Sequence, residues 1–495
     1  MTTLVDYLAR SADRAPDHVA VAHAGTSITY RELDIYSDVL AARLVRAGAR
    51  PGERVVIGLP AGIDLVVSVW AVLKTGAAYV PIDSHSPPAR RDLIIERIKP
   101  TAVIAAPHPT YGDRSVDVRF AYEEKQEPFA RRNFAPGTPA YILHTSGSTG
   151  VPKGVVLTHR NATAFVDWAV DEFAIMATDR IAGHAPAHFD LSTLDLFGAA
   201  KASAALMPVP TRAKMFGAEL ARFIQDTKIT LLYCVPTALT MLSQSASEEN
   251  LISLRRILFA GEVCPPATLR TMASLTPGAA YTNLYGPTET NVCTFHHVTA
   301  PDRVKDSVPM GRPISGVRTW IEPSEGQEGR GELVVAGPTV AVGYWEDPEQ
   351  TSKRFLELDD GRGYRTGDVV IQDAQGVLHF RGRSDRQVKT RGHRVELDEV
   401  ESILRSHPAI EDAAVFAVAD HAMTNLLIAA VTSKDATITS RQIRKDCARQ
   451  LPAYAIPTAV SIMREFPLTS TGKVDRIELS NRLAITPSTQ PVTNH

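Results

Sequence analysis

The chain has 495 residues, of which 44% are hydrophobic and 22% charged, and its formal net charge at pH 7 is −2. This length predicts two or three packed units of a globular protein. The balanced charge gives no indication of a nucleic-acid or anionic-membrane partner. The longest apolar runs, such as residues 63–73, are too short to span a bilayer, and no export signal follows Met1. The cysteines have neither metal-type nor disulfide spacing, so we expect reduced thiols in a cytoplasmic protein: Cys234, Cys264, Cys293 and Cys447.

The first part of the chain alternates helix and strand patterns. An amphipathic pattern predicts a helix over residues 3–15, and Thr29 followed by Glu32 predicts a capping box for a second helix that continues to about Ala47. Strand patterns at 54–59 and 77–82 flank a helix predicted over 63–74. This order predicts a parallel sheet with helices on its faces. Residues 107–137 are polar and irregular, and we expect loops there.

The stretch from Tyr141 to Gly154 joins a short apolar strand to a loop rich in hydroxyls and glycines, 145–150, and then to Lys153. Glycines let backbone N–H groups approach a ligand closely, hydroxyls add donors and the lysine adds a positive charge. The combination suits a polyphosphate, and the alternative is a flexible turn between two strands. A glycine follows the lysine where a Walker A loop requires Ser or Thr, so the stretch is not of that type.

Asp190 lies inside the apolar run 184–197. A buried carboxylate there needs a cation or a hydrogen-bond network. The alternative is that Asp190 or Ser192 caps a helix that carries residues 194–200.

The segment 281–293 contains a turn at Gly286 and Pro287, followed by Thr288 and Glu289. Glu289 offers the hard oxygen ligand that Mg²⁺ accepts, although a lone glutamate in a loop is commonly a solvated charge.

The charge density rises at residues 382–401, where Gly382 and Asp385 suit a hinge that absorbs a backbone rotation. Strand patterns around Val388 and Val395 flank a turn at Gly392, and the helix and strand patterns between 397 and 450 predict a compact α+β unit. The composition of the last residues predicts disorder.

The segments 145–154 and 281–293 resemble signature motifs of the adenylate-forming (ANL) superfamily, which includes acyl-CoA synthetases, luciferases and the adenylation domains of nonribosomal peptide synthetases. The resemblance extends from near Ile28 to Arg476. It implies an α/β fold in which a large N-terminal domain of layered αβαβα subdomains plus a β-subdomain, residues 1–384, holds ATP and substrate. A small mobile α+β C-terminal domain would cover 385–484, with a hinge at Asp385 and a disordered tail at 485–495.

The same resemblance implies roles for single residues. Glu289 would contact the Mg²⁺ bound to ATP, Tyr285 would pack on adenine and Asp368 would accept hydrogen bonds from the ribose. Lys473 would be catalytic, with Thr145 and Glu289, by neutralising negative charge as the substrate carboxylate attacks the α-phosphate. The implied ATP-binding residues are Thr145, Ser146, Gly147, Ser148, Thr149, Gly150, Lys153, Gly261, Glu262, Tyr285, Gly286, Thr288, Asp368, Arg383 and Lys473.

In amino-acid-activating members, the aspartate matching Asp190 binds the α-ammonium group, and Lys473 would bind the carboxylate. The other implied substrate-binding residues are aliphatic or small apart from Tyr233: Leu191, Leu194, Tyr233, Leu258, Ala260, Leu284, Val292 and Cys293. This lining predicts a small apolar amino acid and resembles that of stand-alone L-proline-activating ligases. D-alanine ligases and activators of β-amino acids are near alternatives. Asp190 argues against an acyl-CoA synthetase, and the presence of Lys473, Glu289 and Asp368 argues against a non-catalytic nucleotide-binding regulator.

The reaction implied by the resemblance has two halves. ATP, with Mg²⁺, and a carboxylate give an acyl-adenylate and pyrophosphate, and the C-terminal domain then rotates about Asp385. The phosphopantetheine thiol of a carrier protein attacks the adenylate, with the turn at Gly392 facing the thiol channel. Because no carrier-like segment follows Arg476, we expect a free-standing enzyme that loads a separate acyl or peptidyl carrier protein. We expect no permanently bound cofactor, no nucleic acid and no membrane partner.

Overall fold

The computed structural model describes residues 2–106, 109–123, 129, 132–147, 152–323, 329–359, 361–390, 392–419, 425–433, 435, 437–467 and 474–484. The chain forms two compact units. The first unit comprises residues 1–85, 91–145 and 153–385, and the second comprises 86–90, 146–152 and 386–495. The predicted mixed α/β fold, with a large N-terminal part and a small C-terminal part, is confirmed. Within these ranges no helix has the length and apolar character needed to span a membrane.

The strands of the described ranges are short, as is usual for mixed sheets. They are β1 Val19–His23, β2 Thr26–Thr29, β3 Arg54–Gly58, β4 Ala78–Pro81, β5 Ala102–Ala105, β6 Pro139–Thr145, β7 Lys153–Thr158, β8 Arg180–Gly183, β9 Ala205–Pro208, β10 Leu231–Cys234, β11 Arg256–Ala260, β12 Ala280–Tyr285, β13 Thr294–Val298, β14 Arg312–Pro313, β15 Arg318–Pro323, β16 Arg330–Ala336, β17 Gly343–Tyr344, β18 Phe355–Leu358, β19 Gly361–Gln372, β20 Leu378–Arg383, β21 Gln387–Thr390, β22 His393–Glu396, β23 Asp412–Ala419, β24 Asn425–Thr432 and β25 Ala459–Met463.

The α-helices lie between these strands. They are α1 Leu4–Arg14, α2 Tyr30–Arg46, α3 Ile63–Thr75, α4 Pro88–Ile98, α5 Phe120–Glu123, α6 His159–Glu172, α7 Ala199–Ala202, α8 Thr211–Met215, α9 Gly217–Thr227, α10 Pro236–Ser245, α11 Glu248–Leu251, α12 Pro266–Leu275, α13 Pro348–Arg354, α14 Leu397–Arg405, α15 Ser440–Cys447 and α16 Arg476–Ala484. A π-helical turn spans Leu194–Gly198, and 3₁₀ turns span Pro109–Arg114, Pro301–Arg303 and Ala453–Ala455.

Local sequence signals set several helix ends. The capping box predicted for α2 is confirmed: the Thr29 hydroxyl accepts the Glu32 N–H at 3.2 Å, and the Glu32 carboxylate accepts the Thr29 N–H at 2.7 Å. Helix α3 ends at Gly76, whose φ of +80° lies in the left-handed region that glycine adopts without strain. Residues at the start of α2 and at the end of α3 therefore pair backbone groups that a helix end would otherwise leave unpaired.

Three sheets build the first unit. A nine-stranded sheet has the order β14-β13-β12-β11-β10-β8-β9-β1-β2, and a six-stranded sheet has the order β17-β7-β6-β4-β3-β5. The parallel pairing predicted for the early strands is confirmed, since β3 pairs in parallel with both β4 and β5. A third, antiparallel sheet has the order β15-β16-β19-β18, with β20 paired to β19. One large apolar cluster, which includes Trp70, Phe165 and Leu258, joins helices to strands of all three sheets.

The second unit contains the pair β21–β22 and the three-stranded sheet β23-β24-β25, with α14 and α15 packed around an apolar core. Its central charge is Glu401, which is 2% exposed and is bound by Arg386, Arg405 and Arg476. Burial favours the neutral acid, but the hydrogen bonds from Arg386, Arg476 and the Val415 N–H outweigh it and lower the pKa of Glu401 to about 2.

Candidate active site

The hydroxyl-rich loop lies between the two strands of a β-hairpin, β6 and β7. Strands β6 and β7 pair antiparallel, with Thr145 opposite Lys153. The Lys153 ammonium lies 5.6 Å from the centroid of the Tyr344 ring, within the range of a cation–π contact. The hairpin therefore brings the first hydroxyl and the lysine of the predicted phosphate site to one sheet edge. Ser148, Thr149 and Gly150 lie outside the described residues.

Glu289 is buried, with 1% of its surface exposed, so the interpretation of this glutamate as a solvated loop charge is wrong. The Tyr344 hydroxyl donates to Glu289 Oε1 at 2.8 Å and lies 3.2 Å from the Tyr364 hydroxyl. The Glu289 carbonyl accepts the Ala341 N–H at 2.8 Å. Strand β17 and the third sheet therefore orient the carboxylate proposed as the metal ligand.

Asp368 contacts two other residues expected to bind a nucleotide, Tyr285 and Arg383. Its carboxylate is 2% exposed, with Oδ2 accepting from the Tyr285 hydroxyl and Oδ1 from Arg383 Nη1. Burial, reinforced by the charge of Asp368, raises the pKa of Tyr285 well above its usual range. Tyr285 thus remains protonated and acts as a donor. A sugar hydroxyl could donate to either Asp368 oxygen, beside Tyr285 and Arg383 or in place of them.

The glycines of this region allow close backbone approach. A Cβ at Gly286 would lie 1.6 Å from the Asn291 carbonyl oxygen, so no other residue fits there. Gly261 has a φ of +96°, and the neighbouring Glu262 carboxylate accepts the Thr237 hydroxyl at 2.6 Å. Thr288 follows the turn and is half-buried.

The residues expected to line the substrate pocket belong to one apolar cluster of the first unit. Register explains this, because Tyr233 lies beside Leu258 on adjacent parallel strands, and Ala260 lies beside Leu284. Paired residues on neighbouring strands point to the same face of a sheet. The members of the cluster are Leu191, Leu194, Tyr233, Leu258, Ala260, Leu284, Val292 and Cys293.

Asp190 lies in the turn that follows β8, and its carbonyl accepts the Thr193 N–H at 3.0 Å. Thr193 occupies the N-cap position of the π-helical turn and makes no capping bond, while the Ser192 hydroxyl donates back to the Phe189 carbonyl at 2.7 Å. The alternative in which Ser192 caps this helix is therefore wrong. Burial, together with the nearby charge of Asp190, raises the pKa values of Tyr141 and Tyr233, so Asp190 lies close to this lining.

Tyr233 is fully buried, and its hydroxyl has no hydrogen-bond partner among the described residues. A Tyr233→Phe variant is therefore expected to keep or raise the melting temperature, because it removes a buried polar atom that contributes no bond. The matched control is Tyr30→Phe, since the Tyr30 hydroxyl contacts the Ala199 and Ala204 carbonyls at 2.8 and 2.7 Å and its loss should cost about 1–2 kcal/mol. Equal destabilisation of both variants by thermal unfolding would contradict this.

Two polar residues of the site were not predicted from the sequence. One is Tyr344, which follows Gly343 and donates its hydroxyl to Glu289. The other is Asp195, which is 1% exposed within the π-helical turn. Burial raises the pKa of Asp195 well above its usual range, although hydrogen bonds from the Ala185 and His184 N–H groups and the charge of Lys214 act to lower it. An acidic residue inside an apolar run is the signal that could have identified Asp195.

The remaining predicted residues fall in different parts of the chain. The Ser146 hydroxyl, in the second unit, donates to the Arg394 carbonyl at 2.9 Å and accepts the Glu396 N–H at 3.1 Å. Asp385 is the last residue of the first unit. Lys473 lies outside the described residues.

Comparisons with known proteins agree on one family. Residues 8–345 match the AMP-binding enzyme family, and residues 399–473 match the AMP-binding enzyme C-terminal domain. The chain is 34% identical to an L-proline–[L-prolyl-carrier protein] ligase of Pseudomonas fluorescens, over 98% of this chain and 100% of that protein. It is 36% identical to a ligase of the same name from Streptomyces coelicolor, over 90% and 91% of the two chains. Among solved structures, holo-PA1221, an NRPS protein containing adenylation and PCP domains, superposes with a TM-score of 0.85 at 28% identity, over 97% of this chain and 84% of that one.

Proposed function

The chain belongs to the AMP-binding enzyme family, and on that premise we propose that it activates L-proline with ATP and transfers the prolyl group to the phosphopantetheine thiol of a carrier protein. The observation that carries the substrate assignment is the contrast between Asp190 and its surroundings. The negative charge of Asp190 lies near Tyr233, in a lining that is mostly aliphatic or aromatic, and this suits a cation attached to a compact apolar ring. The two proline-specific relatives support the same substrate.

The residues present fit a nucleotide and a hard divalent cation. Asp368 presents a buried carboxylate that suits the two ribose hydroxyls, and Glu289 offers an oriented carboxylate oxygen. Mg²⁺ bound there with ATP supplies charge neutralisation for the phosphates. Thr145 and Lys153 would hold phosphate oxygens at the hairpin edge.

In the first half-reaction, Asp190 holds the proline ammonium and so fixes the direction of the substrate carboxylate. One carboxylate oxygen forms a bond to the α-phosphorus, and the bond from that phosphorus to the bridging oxygen breaks, which releases pyrophosphate. Lys473 would balance the negative charge that gathers on the carboxylate and α-phosphate oxygens. No side chain acts as a nucleophile, because the substrate carboxylate already is one.

In the second half-reaction, the thiol sulfur bonds to the prolyl carbonyl carbon and AMP leaves, while the thiol proton is released. We propose that a rotation at Asp385 separates the two halves and that the β21–β22 hairpin, with Gly392 in its turn, then serves the thiol.

Gly392 has a φ of +80°, which a leucine adopts only with strain. A Gly392→Leu variant is expected to keep pyrophosphate exchange within about twofold of wild type and to slow prolyl-thioester formation with pantetheine by roughly tenfold or more. The matched control is Gly376→Leu in the turn before β20, where φ is also +80° and the nearest side-chain atom would lie 3.8 Å away. Equal loss of both half-reactions in Gly392→Leu would show that the hairpin does not act in transfer alone.

The proposed function as a whole is tested by amino-acid-dependent exchange of pyrophosphate into ATP. The panel contains the proteinogenic amino acids, D-proline, D-alanine, β-alanine and a medium-chain fatty acid. The highest kcat/KM is expected for L-proline. Preference for D-alanine or a β-amino acid would move the enzyme to one of those ligase classes. Preference for the fatty acid would assign it to the acyl-CoA synthetases, and absence of exchange with every compound would overturn the activity itself.

A further inference from the structure

The side chain of Asp385 is held by two guanidinium groups. Arg383 binds it in a bidentate manner, with Nε 2.7 Å from Oδ1 and Nη2 3.0 Å from Oδ2. Arg354 Nη2 donates to the same Oδ2 at 2.9 Å. Bidentate arginine–carboxylate pairs fix orientation as well as distance, so this carboxylate has a defined direction.

Arg354 is tied to the antiparallel sheet of the first unit. It ends α13, and its Nη1 lies 3.7 Å from Glu332 Oε1 on β16. The same Glu332 oxygen accepts the Gly367 N–H of β19 at 2.7 Å. Arg354 therefore connects the last residue of the unit to two of its strands, and the mechanism proposed above uses neither Arg354 nor Glu332.

The backbone just before Asp385 is also fixed to β19. The Ser384 N–H and hydroxyl both donate to the Gly367 carbonyl, at 2.9 and 3.1 Å, and Arg383 Nη2 donates to the Thr366 carbonyl at 3.1 Å. Residues 383–385 are consequently anchored to the sheet by hydrogen bonds, whereas Arg386 begins the second unit. If the backbone rotates at this point, the residues that precede the rotating bonds stay fixed to β19.

We propose that Arg354 is a positioning residue for thioester formation, which acts by clamping the Asp385 side chain so that the rotation is confined to the bonds that follow it. The inference rests on the proposed two-step function. Hinges act through a few residues that absorb a large change in φ and ψ. With the clamp removed, the rotation spreads over several bonds and fewer rotated molecules present the thiol correctly. Adenylate formation does not depend on this rotation.

The experiment measures the two half-reactions separately in the full chain. Pyrophosphate exchange with L-proline reports adenylation, and formation of prolyl-pantetheine from added pantetheine in a single turnover reports transfer. Arg354→Ala is expected to slow transfer about tenfold and to leave exchange within about twofold of wild type. Arg354→Lys keeps the positive charge but lacks the planar guanidinium group. It should therefore transfer faster than Arg354→Ala and more slowly than wild type.

Arg365→Ala is the matched control. Arg365 lies on β19 and makes its own two-bond pair with Glu322, at 2.8 and 3.1 Å, away from Asp385. It should leave both half-reactions unchanged. In an Asp385→Ala background, Arg354→Ala should have no further effect on transfer, because its target is gone.

The outcomes separate the clamp from the proposed function. If the wild-type enzyme shows no pyrophosphate exchange with any amino acid, the proposed function fails. If the wild-type enzyme is active, three results would reject the proposed role of Arg354. Arg354→Ala could slow both half-reactions by the same factor, it could change neither, or it could still slow transfer in the Asp385→Ala background. Should Arg354→Ala fail to fold, the same comparison is made with Arg354→Lys and Arg354→Gln, of which the latter loses the ionic contact and should slow transfer more.

Discussion

A Lys473→Ala variant is expected to lose pyrophosphate exchange by more than about a hundredfold, the effect of removing about 3 kcal/mol of charge stabilisation from a transition state. The reason is electrostatic. A proline carboxylate and a triphosphate approach each other, and both are anions. The described part of the site supplies Lys153 at the hairpin edge, and the sequence motif adds Lys473 as the cation for the attacking carboxylate and the α-phosphate.

The design must separate lost catalysis from lost folding. Chemically prepared prolyl-adenylate bypasses the first half-reaction, so Lys473→Ala should still form prolyl-pantetheine from it at a rate near that of wild type. Lys353→Ala serves as the control for removal of a lysine and should leave exchange unchanged, since Lys353 is exposed on α13 and pairs with Glu349. Wild-type exchange in Lys473→Ala would reject its catalytic role.

Local signals in the sequence were sufficient for many elements of the fold. The pair Thr29 and Glu32 predicts the start of α2, and Gly76 predicts the end of α3, because capping chemistry acts over three or four residues. The short apolar runs in the second unit likewise predict β23 and β24. Such elements depend on neighbours in the chain, so a single sequence contains the information.

Contacts between distant segments could not be predicted in the same way. The Tyr344 hydroxyl meets Glu289 across 55 residues of sequence, and the Tyr285 hydroxyl meets Asp368 across 83. The residues next to a tyrosine in the sequence do not indicate which acceptor its hydroxyl will bond to in the folded chain. The π-helical turn at 194–198 was also predicted as ordinary helix, because a π turn and an α-helix share one apolar pattern.

Asp190→Asn is expected to reduce kcat/KM for L-proline by about a hundredfold or more, since a buried cation that loses its counter-charge costs about 3–5 kcal/mol. Asparagine keeps the size of the side chain and can still accept one hydrogen bond from the secondary ammonium. It cannot supply the negative charge. The melting temperature should hardly change, because asparagine caps a helix about as well as aspartate does.

Asp179→Asn provides the opposite control. Asp179 is 2% exposed and is bound by Arg255, the Thr230 hydroxyl and the Met176 N–H, so it is a structural carboxylate of the same unit. Its pKa is lowered because the hydrogen bonds from Arg255, Met176 and Thr230 outweigh burial. This variant should lower the melting temperature while the folded fraction exchanges pyrophosphate normally, which is the reverse of the pattern expected for Asp190→Asn.

The charge itself can be tested with tetrahydrofuran-2-carboxylate, which keeps the five-membered ring and carboxylate of proline but replaces the ammonium with an ether oxygen. Wild type should discriminate strongly against this analogue, because Asp190 would then face a neutral acceptor rather than a cation. Asp190→Asn should lose most of that discrimination, since its amide N–H can donate to the ether oxygen while it binds the ammonium poorly. If the variant keeps both the wild-type rate with proline and the wild-type discrimination, Asp190 does not bind the amine and the substrate assignment fails with it.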